Sequence, residues 1–151
     1  MNRRLMLILA ACSWLAVIGA DCARGQSVGG GPDLLEKRSW ELAGRDAVDC
    51  GSVPLRADPK AATDCALAAN KAGKPFRVHY QVQGTDSLVA VAFVRSPDGP
   101  LQGLIWDSDP SGGGGRGPGI VSVMGCPMPV QLYPTREGQL ACVPPRPLVP
   151  R

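Results

Sequence analysis

Apolar and polar positions alternate with a period of two along the second half of the chain. Residues 75–82 place apolar side chains on one face and polar side chains, Arg77 and His79 among them, on the other, which predicts a half-buried strand with a solvent-facing polar side. Leu88–Val94 is apolar on both faces, which is typical of a central strand. The same reasoning predicts strands over Leu101–Trp106 and Gly119–Met124 and a terminal hairpin of Val130–Tyr133 with Leu140–Val143.

A helical period precedes these strands. Asp58 can accept hydrogen bonds from the unpaired N–H groups at a helix start, and Pro59 fits the first helical position. Alanines follow, and Gly73 suits the position just past the helix end. The inward face is predicted to consist of small side chains: Ala61, Ala62, Cys65, Ala69 and Ala72. A short helix is also predicted over Leu34–Ala43, and residues 44–55 have the composition of a loop or short strand.

This order of elements predicts an α+β fold, with one main helix packed on an antiparallel β-meander of four to six strands and stapled by disulfides. We expect residues 46–143 to form this single domain. Residues 26–45 are expected to be a flexible leader that contains the short helix, and the proline-rich residues 144–151 to be a disordered tail.

The N-terminus has the pattern of an export signal. Arg3 and Arg4 are followed by the uncharged, apolar run Leu5–Ala20, which is slightly short for a membrane-spanning helix. Within that run, the tetrapeptide LAAC, which ends at Cys12, reads as the lipobox of a lipid-anchored protein. The apolar run continues past Cys12, whereas a mature lipoprotein usually becomes polar at once, so a soluble exported protein is the favoured alternative.

Two positions fit signal cleavage, because small residues precede each of them. Cleavage between Gly25 and Gln26 removes Cys22 and leaves an even number of cysteines. Cleavage between Ala20 and Asp21 would retain Cys22 as an odd thiol in an oxidising compartment. We therefore favour the later site.

The four remaining cysteines contain no C-x-x-C pair, so their spacing indicates neither a redox motif nor a zinc knuckle. Four cysteines allow three pairings. We expect the nearest neighbours to pair, Cys50 with Cys65 and Cys126 with Cys142. Each bond then closes a loop of about 15 residues, which is worth roughly 3 kcal/mol in the chain-entropy model.

The charge argues against a nucleic-acid partner. The formal net charge of the chain is +3. Removal of residues 1–25 lowers Lys+Arg from 16 to 13 and Asp+Glu from 13 to 12, which leaves +1. Aromatic residues make up 5% of the chain and the basic residues are scattered, so no basic stripe with interleaved aromatics exists in the sequence.

One loop has partial calcium-binding spacing. Asp107, Asp109, Ser111 and Gly112 match the first half of a calcium loop, in which alternate carboxylate oxygens converge on one cation. The twelfth position, which should be Glu, is Pro118. Two alternatives remain beside calcium: a plain glycine-rich connection, and a mobile binding loop whose glycines let a ligand approach closely.

Catalytic residues are not indicated by the sequence. His79 is the only histidine, so it cannot build a multi-histidine metal site, and we expect it to face solvent. Ser87, His79 and Asp86 could formally form a triad, but Ser87 lies in a turn and lacks a nucleophile-elbow context. Trp40 and Trp106 are expected to fill the core.

A set of short segments resembles small exported bacterial proteins of unknown function. They are Asp49-Cys50-Gly51, the helix with Cys65, Lys74-Pro75-Phe76, residues 83–87, residues 107–113, Cys126-Pro127 and Cys142. The resemblance covers roughly residues 46–143. It implies export and disulfide bonding, and it implies no activity.

Taken together, these features favour a non-enzymatic binding module, periplasmic or secreted, whose partner is a protein or small ligand. Two alternatives stay open: a calcium-dependent or hydrolytic envelope protein that uses Asp107 and Asp109, and a lipoprotein anchored through Cys12. Stable membrane contact is expected only in the lipidated form. No cofactor is expected, with calcium as the one alternative.

Overall fold

The computed structural model describes residues 31–114 and 119–143. The predicted signal 1–25, its two cleavage sites, Cys12 and the tail 144–151 lie outside these residues, as does Pro118. Within the described part no helix is both long enough and apolar enough to cross a membrane.

The described chain contains two α-helices, a five-stranded sheet and a small hairpin. The helices are α1 (Pro32–Ala43) and α2 (Lys60–Lys71). The sheet strands are β1 (Val48–Val53), β2 (Phe76–Gln83), β3 (Leu88–Arg95), β4 (Leu101–Asp107) and β5 (Ile120–Gly125), and the hairpin strands are β6 (Tyr133–Pro134) and β7 (Leu140–Ala141). These elements confirm the predicted α+β class and the terminal hairpin.

The sheet has the strand order β1-β2-β3-β4-β5. Strands β2 to β5 form the predicted antiparallel meander. Strand β1, in the segment expected to be loop or short strand, pairs parallel to β2. A parallel pair cannot be joined by a tight hairpin, and α2 supplies the crossover between β1 and β2.

Helix α1 covers one face of the sheet. Leu35, Ser39 and Ala43 recur every four residues and form its buried stripe. The helix ends at Gly44, whose positive φ of 80° is readily adopted by glycine and whose N–H donates to the carbonyl of Trp40. The stripe packs on a core built from β3 and β4, which contains Ala90, Ala92, Val94, Leu104 and Trp106.

Helix α2 and the hairpin cover the opposite face. The helix buries Thr63, Ala66 and Ala69, whereas Ala61 and Ala72 of the predicted inward face are exposed. The prediction for Ala61 and Ala72 was wrong, because the helix turns Thr63 inward, where its hydroxyl forms buried hydrogen bonds. Thr63 Oγ1 lies 2.7 Å from the carbonyl of Gly138, to which it donates, and 2.9 Å from the hydroxyl of Tyr80.

The predicted polar side of β2 is buried. Arg77 is 6% exposed and His79 is 7% exposed, so the expectation that His79 faces solvent was wrong. The alternation in the sequence does mark two faces of the strand. However, α1 packs over the polar one, and residues 76–80 are therefore buried without interruption.

Both predicted disulfides are present. Cys50–Cys65 joins β1 to α2, with 5.6 Å between the two Cα atoms. Cys126–Cys142 joins the end of β5 to the end of β7, with 5.4 Å between the Cα atoms. Two such bonds indicate that the chain folds in an oxidising, extracytoplasmic environment.

Candidate functional site

A serine–histidine pair joins helix α1 to the polar face of β2. Ser39 Oγ on α1 lies 2.6 Å from His79 Nε2 on β2. Ser39 Oγ also lies 2.7 Å from the carbonyl oxygen of Glu36, to which it donates. A carbonyl can only accept, so the single hydroxyl proton is directed at Glu36 and His79 Nε2 must carry the proton of the other hydrogen bond.

This arrangement does not activate the serine. A nucleophilic serine needs a neighbouring base that accepts its proton, whereas here the imidazole donates to it. Ser39 has no solvent exposure, and His79 is nearly as inaccessible. The pair therefore attaches α1 to the sheet through a hydrogen bond.

The environment favours the uncharged form of His79. Burial lowers the pKa of His79 below its ordinary value of 6.5, and the positive charge of Arg77 lowers this pKa further. The carboxylates of Glu36 and Asp49 oppose both effects and raise it. The net direction is downward, so the neutral imidazole fits this site.

Arg77 lies beside the pair and joins three elements. Its guanidinium carbon lies 3.7 Å from the ring centroid of Trp40 on α1, a cation–π contact. Its Nη2 lies 2.5 Å from an Asp49 carboxylate oxygen on β1, and its Nη1 lies 3.7 Å from Glu36. Trp40 was expected in the core, but it is 41% exposed and covers the arginine instead.

The formal triad is not assembled. His79 pairs with Ala92, whereas Ser87 and Asp86 lie in the turn beyond Gln83 at the other end of the β2–β3 hairpin. Gln83 lies four positions along β2 from His79, which is a distance of about 13 Å at the usual rise. The structure therefore separates the three residues.

The aspartates of the glycine-rich loop bind backbone groups. Asp107 Oδ1 accepts from the N–H of Asp109 at 2.9 Å. The Asp109 carboxylate accepts from the N–H groups of Gly113 at 3.2 Å and Gly114 at 2.6 Å. Ser111 is exposed in the same loop.

These hydrogen bonds order the loop around Asp109. Among the described residues no group of three or more His, Cys, Asp or Glu side chains could hold a metal ion. Calcium binding by Asp107, Asp109 and Ser111 stays a prediction.

Strand β5 presents an open edge. It pairs with β4, and no other described strand pairs with it. Its sequence, IVSVMG, contains no charged residue. Ile120 is 56% exposed on one face of the sheet and Val123 is 58% exposed on the other. A neutral, apolar edge strand with unpaired backbone groups is a template for pairing with another strand.

An apolar groove adjoins this edge. It has a volume of about 240 Å³ and lies between the face formed by β2 to β5 and residues 139–143, which include β7. Its lining includes Val91, Phe93, Ile105, Met124, Leu140 and Val143. Met124 belongs to β5, so the groove reaches the strand at the open edge of the sheet.

The opposite edge of the sheet differs. The register of β1 against β2 shifts between Asp49 and Ser52, which is a β-bulge. Gly51 in the bulge has a φ of 86°, and its N–H donates to the Asp49 carboxylate. Cys50 in the same strand is bonded to Cys65. Each of these features makes β1 a poor template for strand addition.

Two parts of this picture were missed in the sequence. The hydrophobic pattern does not single out Ser39, because serine is polar, although its spacing from Leu35 and Ala43 matches a helix stripe. The open edge is not indicated by the pattern either, because alternation predicts that β5 is a strand but not where it lies in the sheet. Its lack of charge was visible in the sequence and would have been the indicator.

No family model, no curated protein and no solved structure matches this chain.

Proposed function

We propose that this protein is an exported interaction module, periplasmic or secreted, that binds an extended polypeptide by strand addition at β5. The observation that carries the proposal is the open edge of β5, which is uncharged and exposes Ile120 and Val123 on opposite faces. An added strand would pair with the backbone groups that β5 directs away from β4, and its alternate side chains would cover these two residues.

A binding function accords with the chemistry of the remaining polar residues. The serine–histidine pair and the Arg77 cluster contribute to the packing of α1, and the Asp109 carboxylate contributes to the order of its own loop. The predicted export signal and the oxidising environment indicated by the disulfides support a site of action outside the cytoplasm.

The proposal can be tested with a capped hexapeptide of the β5 sequence, Ile-Val-Ser-Val-Met-Gly. The peptide is titrated into dilute, isotope-labelled protein recovered after export, and backbone amide chemical shifts are recorded. We expect saturable shift changes at the amides of β5 and at Met124 in the groove, with little change along β1. Their cause is a new ladder of backbone hydrogen bonds on one side of the sheet.

The matched control is the same peptide with proline in place of its central serine, which removes a backbone donor and disfavours addition to a sheet. Equal shifts with both peptides, or shifts distributed equally over β1 and β5, would show that strand addition at β5 is wrong.

A further inference from the structure

We infer that the strand that pairs with β5 is the β5 strand of a second copy of this chain, in a two-fold symmetric dimer with one continuous ten-stranded sheet. This inference rests on the proposed function and names the partner of the same edge. An antiparallel pair of identical strands is the simplest isologous contact that an open edge can make.

Symmetry restricts the register. A two-fold axis perpendicular to the sheet keeps each face on its own side, so paired residues must belong to the same face. Along β5, Ile120, Ser122 and Met124 lie on one face and Val121 and Val123 lie on the other. An axis through Ser122 satisfies this condition.

That register also matches side-chain chemistry. With the axis at Ser122, Ile120 lies opposite Met124 of the second copy, and Val121 lies opposite Val123. Four of the five cross-strand pairs are then apolar and the fifth is serine opposite serine. An axis through Val123 would instead place Val121 opposite Gly125 and Ser122 opposite Met124, which covers less apolar surface.

Charge permits this pairing. The strand IVSVMG brings no like charges together across the axis. The mature chain after cleavage at Gly25 would carry a net charge of +1, so two copies repel each other weakly. A partner that is selected by its charge would require charged residues on the edge strand. Strand β5 has none.

Side-chain exposure agrees with the same interface. Ile120 and Val123 are among the most exposed large apolar side chains of the described residues, and a partner strand would cover both. A single strand pair is a small interface, so we expect a reversible dimer with an affinity on the order of micromolar.

The test uses the full exported protein and places charges at Ser122, where the symmetry axis of the dimer passes. Sedimentation velocity is recorded from low-micromolar to several-hundred-micromolar protein for the wild type, Ser122→Lys, Ser122→Glu and an equimolar mixture of the two variants. Ser52→Lys is the matched control, because Ser52 is an exposed serine on the opposite edge strand β1.

We expect the wild type and Ser52→Lys to shift to twice the monomer mass as concentration rises. Each Ser122 variant alone should remain monomeric, because identical charges meet at the axis, and the mixture should recover the dimer through opposite charges. Circular dichroism establishes that each variant is folded, and Val123→Lys serves as the second edge variant if a Ser122 variant is not.

A wild type that stays monomeric throughout would overturn the dimer. If the β5 peptide still shifts the β5 amides in that case, the proposed function stands with another partner. If it does not, both fail. A dimer that persists in Ser122→Lys would place the interface elsewhere and would also overturn the inference.

Discussion

The two edge strands of the sheet, β1 and β5, meet solvent in different ways. Strand β1 contains a bulge, a glycine with positive φ and a disulfide to α2, and its Asp49 is paired with the buried Arg77. Strand β5 is six residues of regular antiparallel pairing with β4 and contains no charge, bulge or proline.

Among the residues that the structure describes, this difference shows which edge of the sheet is available. Natural sheets discourage edge pairing through bulges, charges, prolines and covering elements. Strand β1 has a bulge and a charged residue, Asp49, and it is also joined to α2 by a disulfide bond. At β5 none of these is present within the strand, so if one edge of this sheet binds another polypeptide, β5 is the edge that the physical chemistry favours.

The largest expected effect comes from removing the bond that constrains β1. Cys50→Ala with Cys65→Ala should lower the free energy of unfolding by about 3 kcal/mol, because the bond closes a loop of about 15 residues. Urea denaturation measures this loss. The matched variant, Cys126→Ala with Cys142→Ala, opens a loop of nearly the same length and should lose a similar amount.

The two variants should differ in where the sheet opens. Amides of β1 should exchange with solvent faster in the first variant than in the second, since α2 no longer holds β1 covalently. A loss well below about 1 kcal/mol in both would contradict the chain-entropy reasoning.

The next effect concerns helix α1, which packs on β3, β4 and the polar face of β2. Ser39→Ala removes the acceptor of the buried His79 Nε2–H and should cost roughly 1–3 kcal/mol of unfolding free energy. Ser52→Ala is the control, because Ser52 on β1 pairs with His79 on β2 but is exposed. This substitution should cost less than about 0.5 kcal/mol of unfolding free energy. Equal losses of unfolding free energy in Ser39→Ala and Ser52→Ala would show that the hydrogen bond between Ser39 and His79 does not stabilise the fold.

The fold and the disulfides could largely be predicted from the sequence, because both depend on local pattern. The period of two in β2 to β4 and the alanine-rich α2 are local signals, and nearest-neighbour cysteines were the pairs found. The burial of Arg77 and His79 could not be predicted in this way. It depends on α1 packing over a polar strand face, and that contact joins residues about 40 positions apart.

The charge of His79 gives a pH dependence. Its pKa is lowered in the folded chain, so below about pH 6.5 the unfolded chain binds this proton more readily than the folded chain does. The contribution of neutral His79 to the unfolding free energy is complete above the pKa that His79 has in the unfolded chain. It is lost as the pH falls through the lower pKa that His79 has in the folded chain. The slope from one proton is at most about 1.4 kcal/mol per pH unit.

His79→Gln keeps a side-chain donor for Ser39 but does not titrate. Unfolding free energy measured between about pH 7 and 5 should therefore fall less steeply in His79→Gln than in the wild type. Glu36, Asp49 and Arg77, which surround His79, are present in both proteins. Identical slopes would mean that His79 is not the titrating group.

A smaller effect is expected at the ion pair of β1. Asp49→Asn removes the charge opposite Arg77, which is buried, while Asp49 itself is exposed and screened by solvent. We expect a loss of about 1 kcal/mol that diminishes at high salt. A loss that does not change with salt would assign the effect to packing around Trp40 instead.

The smallest effect on stability is expected at β5. Val123→Lys should change the unfolding free energy by less than about 0.5 kcal/mol, because Val123 is largely exposed. It should nevertheless abolish binding of the β5 peptide. Leu88→Lys, at a residue that is 71% exposed on β3 and separated from β5 by strand β4, should leave both stability and peptide binding unchanged. Equal loss of binding in both variants would show a nonspecific hydrophobic contact.

The position of β5 at the edge illustrates a second limit of the sequence. The strand Gly119–Met124 was predicted almost at its observed bounds. Whether a strand is central or at an edge depends on which other strands it meets, and β5 is exposed because β6 and β7 form a separate hairpin instead of extending the sheet. The candidate site therefore became visible only in three dimensions.

The most direct test of the account is hydrogen exchange of the backbone amides of β1 and β5 in dilute and in concentrated protein. We predict that amides of β5 become protected as concentration rises, since a second strand occupies their partners, and that amides of β1 do not change. Exchange at β5 that is independent of concentration, or equal protection of both edges, would contradict the claim that β5 pairs with the β5 strand of a second copy.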